Sequence, residues 1–98
     1  MLHNFKKGSQ DPFFIYMYYT YIIYSSNRDR YYVGQCYDLV QRLDDHNNSR
    51  STYTKTGKPW VLKWSKEFST RAEAKAEESR IKKKKSRNYI EWLISSAG

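Results

Sequence analysis

Apolar residues are unevenly spaced along the 98-residue chain, and their spacing predicts six elements. Residues 13–24, FFIYMYYTYIIY, are dense in aromatic and β-branched side chains at odd and even positions alike. Both residue types fit a pleated strand, and a run that is apolar on both faces predicts a buried central strand. The polar cluster SSNRDR at residues 25–30 comes next, and YYVGQC then resumes strand composition. The two runs predict a hairpin with a loop of about six residues. Asp38 supplies an N-cap oxygen, and Leu39, Val40 and Leu43 recur at helical spacing through DLVQRLDDHNN.

Residues 49–59, SRSTYTKTGKP, are polar and punctuated by Gly57 and Pro59, which marks a loop. In WVLKWSKEF, Trp60, Leu62 and Trp64 alternate with Val61, Lys63 and Ser65, predicting a third strand. Ser69 or Thr70 caps the segment RAEAKAEESRIKKKK, built almost wholly from strong helix formers, and Glu73 stands third after Thr70 as in a capping box. A last helix over roughly residues 86–95 is expected to bury Tyr89, Ile90 and Leu93, with Trp92 as a fourth candidate. The order β-β-α-β-α-α predicts an α+β fold, a small three-stranded antiparallel sheet flanked by helices. Residues 1–12 have no periodicity and include Gly8, Ser9 and Pro12, so residues 1–16 are expected to be an N-terminal extension and residues 17–95 the domain.

Composition narrows the class. A hydrophobic fraction of 39% with 17% aromatic residues is too rich for a disordered chain, and the length allows one small core. The apolar runs are too short and too interrupted by charge to cross a membrane, and residues 1–9 lack the apolar stretch and cleavage site of a signal peptide. The lone Cys36 has no internal disulfide partner, and with His3 and His46 it cannot complete a structural zinc set. A reducing, cytoplasmic setting is expected. Eighteen Lys and Arg against ten Asp and Glu give a net charge of +8, which makes nucleic acid the leading partner and a merely solubilising surface the alternative.

Four features carry candidate chemistry. Tyr21 and Tyr32, eleven residues apart on the two hairpin strands, either pack one sheet face or bring two phenols to a phosphate. The second role requires a nearby cation or metal, because a phenol with a pKa near ~10 is otherwise a poor base. Gly34 inside a strand signals a bulge, a bend, or the close approach of another backbone or a ligand. Arg42 and His46 are helix neighbours, and His46 falls seven after Leu39 and three after Leu43, on the stripe facing the sheet. It is then either a satisfied core histidine or part of a site, with Arg42 seeking an anion. Ala74, Glu78 and Ile81 share a helix face, although Glu77 competes in angle. An inward Glu78 either pairs with a cation such as Arg42 or binds a divalent metal. The run Lys82 to Lys85 reads as a solvated helix end or, with Arg71, Lys75, Arg80 and Arg87, as a holder of phosphates.

In joint order and spacing, YTYIIYSSNRDRYYVGQCYDLVQRLDDHN and KPWVLKWSKEFSTRAEAKAEESRIKK resemble the GIY-YIG nuclease superfamily, in particular its small single-domain bacterial members. Tyr19, Thr20 and Tyr21 stand where the first name-giving triplet lies, and Tyr32, Val33 and Gly34 stand for the second. The resemblance spans about residues 17–94. It implies that Tyr21 and Tyr32 are the active-site tyrosines, Arg42 the site arginine, His46 a histidine found in part of the family, and Glu78 the metal-binding carboxylate. Phosphate contacts then fall to Lys75, Arg80, Lys82, Lys83 and Arg87. The implied activity is a Mg2+- or Mn2+-dependent endonuclease that hydrolyses DNA phosphodiester bonds, in DNA repair or recombination, without a small-molecule cofactor. RNA is the alternative substrate, and a catalytically idle nucleic-acid-binding module of the same fold is the alternative function. Two departures stand out: Tyr19 replaces the glycine of the first triplet, and the asparagine many members carry soon after the metal glutamate is represented only by Asn88, ten residues on.

Overall fold

The computed structural model describes residues 17–48 and 54–97. The expected N-terminal extension, the first residues of the expected first strand and part of the loop at residues 49–59 lie outside them. The elements follow the expected order: β1 (Tyr18–Ser25), β2 (Arg30–Cys36), α1 (Leu39–Asn47), β3 (Trp60–Phe68), α2 (Arg71–Lys84) and α3 (Arg87–Ala97). They form a three-stranded antiparallel sheet in the order β2-β1-β3. β1 is the central strand, and Tyr21, Ile22 and Ile23 are all buried, as its doubly apolar pattern requires. The hairpin turn is shorter than expected because Ser25 pairs with Arg30 as the last rung of the ladder. Only residues 26–29 remain in the turn, closed by the Arg28 N–H donating to Ser25 Oγ at 3.0 Å and by Asp29 in the left-handed region at φ 53°.

The sheet separates two apolar clusters. On one face Tyr21, Ile23, Cys36 and Trp60 pack with Leu39 and Leu43 of α1. On the other, Ile22, Val33 and Trp64 pack with Ile81 of α2 and with Tyr89, Ile90, Leu93 and Ile94 of α3. Each fully buried isoleucine in these clusters contributes roughly 1.5–3 kcal/mol over an exposed one. Strict alternation would put Trp60, Leu62 and Trp64 on one face. The register instead slips between Ile22 and Ile23: Ile22 pairs with Trp64 and Ile23 with Leu62, and Lys63 is skipped. This bulge turns Trp60 and Leu62 toward α1 and Trp64 toward α2 and α3, so one strand feeds both cores.

The helix ends follow their caps. Asp38 accepts from the Gln41 N–H at 3.0 Å to open α1. Thr70 and Glu73 complete the capping box of α2. Ser86, expected inside the last helix, instead precedes it and accepts from the Tyr89 N–H at 3.0 Å. Ala74 is fully buried, and its carbonyl accepts from Thr20 Oγ1 at 2.7 Å, which seats α2 close against β1. Two expected core residues point outward: Val40 is 73% and Trp92 58% exposed. Leu39, Leu43 and His46 face the sheet from α1, and Ile94 takes the inward place considered for Trp92.

Candidate active site

Ladder register brings the tyrosines together. Tyr21 stands opposite Gly34 and Ile23 opposite Tyr32, so both phenols project from the face that α1 covers. Their ring centroids lie 6.4 Å apart, and the His46 ring meets Tyr32 edge-on at 5.2 Å. Gly34 is there for space: a Cβ on it would lie 2.5 Å from Tyr21 Oη and 2.7 Å from Cζ. The strand glycine is expected to mark a bulge, a bend, or an approaching backbone or ligand; what approaches instead is a side chain, the phenol of Tyr21. No cost-free rotation relieves it, because Tyr21 is 1% exposed.

The Tyr21 hydroxyl sits between two α1 side chains. Arg42 Nε donates to it across a long 3.4 Å, and His46 Nε2 lies at 2.8 Å. Arginine has only donors, so Tyr21 Oη accepts from Arg42, while the His46 tautomer sets which way its bonds to Tyr21 and Thr54 run. His46 Nδ1 lies 2.6 Å from Thr54 Oγ1. The result is a connected chain, Arg42–Tyr21–His46–Thr54, with no buried side-chain nitrogen or oxygen left unpartnered among the described residues.

Burial keeps both the phenol and the imidazole of this chain neutral. Burial, opposed in part by Arg42, pushes the Tyr21 phenol well above its usual value and keeps it neutral. Burial and then the Arg42 charge push His46 down to about 4, with Asp45 opposing, so at neutral pH the imidazole is uncharged and able to accept. The Arg42 guanidinium is held above its usual value first by its hydrogen bond to Tyr21. It also lies 3.8 Å from Asp45 and is 37% exposed, with part of its charge open to an incoming anion. Burial raises the Cys36 thiol to about 11, leaving it an inert core side chain.

Glu78 faces partly inward on α2, yet its partner is not Arg42: Oε2 accepts from Lys82 Nζ at 2.6 Å. Glu77, the competitor in angle, is also half-buried and binds Arg80 at 2.8 Å. The Lys82 ammonium lies 5.9 Å from the Tyr32 ring centroid, which places the Glu78 carboxylate one lysine away from the tyrosines. Among the described residues no three His, Cys, Asp or Glu side chains cluster as a metal cage. A single half-buried carboxylate nonetheless suits Mg2+, which keeps several waters and binds through one or two carboxylates plus substrate phosphates.

Of the residues expected to hold phosphate, Lys75 and Lys83 are exposed on α2. Arg80 is engaged by Glu77 and Tyr89, Lys82 by Glu78, and Arg87 by Asp29 and Glu91. Asn88 is exposed on α3. Two site residues carry no signal in the sequence. Thr54 is buried in a polar loop without periodicity, and its carbonyl accepts from Trp60 Nε1 at 2.7 Å. Asn47, the last residue of α1, accepts from the Trp60 N–H at 2.5 Å and donates to the Trp60 carbonyl at 3.0 Å, which locks the entry of β3 beside the site.

A family model described as the GIY-YIG catalytic domain matches residues 17–90. Among solved structures, the chain is similar to the solution NMR structure of a UPF0213 protein from Bacillus halodurans. The two are 28% identical with a TM-score of 0.53, and the match covers 84% of this chain and 86% of that one. No curated protein matches the chain. The family match takes in both hairpin tyrosines, the arginine and histidine of α1 and the glutamate of α2, and with it the chain belongs to the GIY-YIG family, a family of nucleases.

Proposed function

We propose that this protein is a divalent-metal-dependent endonuclease that hydrolyses DNA phosphodiester bonds, with processing of DNA in repair or recombination as its setting. The observation that carries this reading is the buried chain Arg42–Tyr21–His46–Thr54 with Tyr32 beside it, a costly polar arrangement for a core that a purely structural domain would fill with carbon. Tyr21 is enclosed and neutral, so it serves as a positioning residue. Tyr32 is half-buried and lines a hollow with Arg28, Arg30 and Trp60, which makes it the phenol able to meet water.

In this reading Tyr32 acts as the phenolate, its own proton passed to solvent before the chemical step; the Lys82 ammonium, 5.9 Å from the ring centroid, stabilises that anion, which then takes a proton from the attacking water. The half-exposed Arg42 guanidinium neutralises charge growing on the phosphorus oxygens. Glu78 would hold Mg2+ or Mn2+, which supplies Lewis-acid polarisation of the phosphate. His46 holds the Tyr21 hydroxyl and completes the set with Tyr32, Arg42 and Glu78.

One observation favours a second reading, a nucleic-acid-binding module without catalysis: Lys82 already occupies the Glu78 carboxylate at 2.6 Å. A panel of labelled duplex, single-stranded and branched DNA and RNA, incubated with Mg2+, Mn2+ or EDTA, separates the two. The endonuclease reading expects metal-dependent cleavage that Glu78→Gln reduces at least ~100-fold while binding persists. Binding without cleavage across the panel would sink it in favour of the module.

A further inference from the structure

Three adjoining hollows run around the open edge of the sheet at the start of β2. The first is lined by Arg28, Arg30 and Tyr32, the second by Tyr32, Lys82, Lys85 and Ser86, and the third by Arg28, Arg30, Tyr31, Lys85 and Ser86. Because they share lining residues, they adjoin as one groove that begins at the half-buried Tyr32 and ends at the junction of α2 and α3. The hairpin turn that supplies its first two cations reads in the sequence as nothing more than a polar loop.

Two facts mark these cations. Among the described residues, Arg28, Arg30 and Lys85 stand in no ion pair, whereas Arg80, Lys82 and Arg87 each do. Arg28 donates only to the neutral Thr56 Oγ1, at 3.1 Å, so its charge stays available. The turn that carries Arg28 and Arg30 is also fixed in place. Asp29, between them, accepts from Tyr24 Oη at 2.6 Å and from Arg87 Nη2 at 2.7 Å, and its carbonyl accepts from Arg87 Nη1 at 3.2 Å. Arg87 is in turn held by Glu91 at 3.0 Å and lies over the Tyr31 ring.

From this arrangement we infer that the groove is a binding site for the phosphate backbone of a polynucleotide, contacted by Arg28, Arg30 and Lys85, and that the Asp29–Arg87 pair is a clamp that orients the two hairpin arginines. The inference rests on the nuclease reading for what it feeds, since the groove leads to Tyr32. Its cations are placed to meet phosphates, and phosphate contacts carry no base-sequence information. Arg87 is thus a positioning residue, its donors turned to the hairpin and not to phosphate.

The test is fluorescence anisotropy of labelled single-stranded and duplex oligonucleotides of mixed sequence. The full chain carries Glu78→Gln in EDTA, so that nothing is cut, and binding is followed over a salt series. Arg28→Gln and Arg30→Gln should each weaken binding about 3–10-fold on every sequence and lower the log–log salt slope by about one. Asp29→Gly removes a negative charge and suits the left-handed backbone, so charge alone predicts tighter binding; the clamp predicts weaker binding. Thermal melts of each variant exclude unfolding as the cause. Unchanged affinity and slope in both arginine variants, tighter binding by Asp29→Gly, or no salt-dependent binding by the parent would overturn the inference. Cleavage by the unsubstituted chain, read on the same oligonucleotides, keeps the two claims apart. Cleavage with indifferent arginine variants defeats the groove alone, and a groove effect without any cleavage defeats the nuclease reading alone.

Discussion

His46 lies fully buried between Tyr21 Oη and Thr54 Oγ1, and its position makes a thermodynamic signature. The unfolded chain protonates it near the ordinary 6.5, the folded chain only near about 4, so between those values the unfolded state binds the extra proton. The contribution of His46 is therefore complete above pH 6.5, declines as pH falls and is lost below about pH 4, a change of about 3 kcal/mol. Urea unfolding from pH 7 to pH 4, on the protein and on His46→Gln, should show the decline largely removed by the substitution; parallel curves would contradict it. The inward position of His46 was legible from its spacing to Leu39 and Leu43, and its partners were not. Thr54 belongs to a segment with no period, and a hydrogen bond formed across a loop leaves no trace in hydrophobic patterning.

At the scale of elements, local chemistry settled most of the fold. The doubly apolar β1, the Asp38 cap and the Thr70–Glu73 capping box each act within a few residues, and each is present where the sequence placed it. The misplaced faces have one cause: a pattern shows what is apolar but not which face receives it. Trp92 is apolar and exposed, and Trp64 faces away from Trp60 despite the even spacing, because the Lys63 bulge shifts the register by one. Deleting Lys63 would restore strict pairing and force Trp60 and Leu62 off the α1 face, separating Trp60 from Thr54 and Asn47. The expected outcome is loss of cooperative thermal unfolding, followed by circular dichroism; a deletion variant that melts like the parent would show the bulge to be dispensable.

Across the whole molecule, the basic residues behind the net charge of +8 include two groups with different uses. Arg80, Lys82 and Arg87 are committed to carboxylates and hold helices and hairpin together, while Arg28, Arg30 and Lys85 line the groove that leads to Tyr32. The sequence located the tyrosines, Arg42 and Glu78 by resemblance, but composition could not separate structural cations from available ones, since that depends on which carboxylate lies within reach. The same geometry divides the two phenols: Tyr21 is enclosed by α1 and Gly34, whereas Tyr32 opens onto the hollow beside Arg28 and Arg30. The most direct measurement is the single-turnover cleavage rate of a labelled DNA in Mg2+ for the protein and for Tyr32→Phe, with melting temperature as the control for folding. If Tyr32 moves the proton of the attacking water, the rate falls by about 100- to 10,000-fold with the fold intact. Cleavage by Tyr32→Phe at the parent rate would contradict the account.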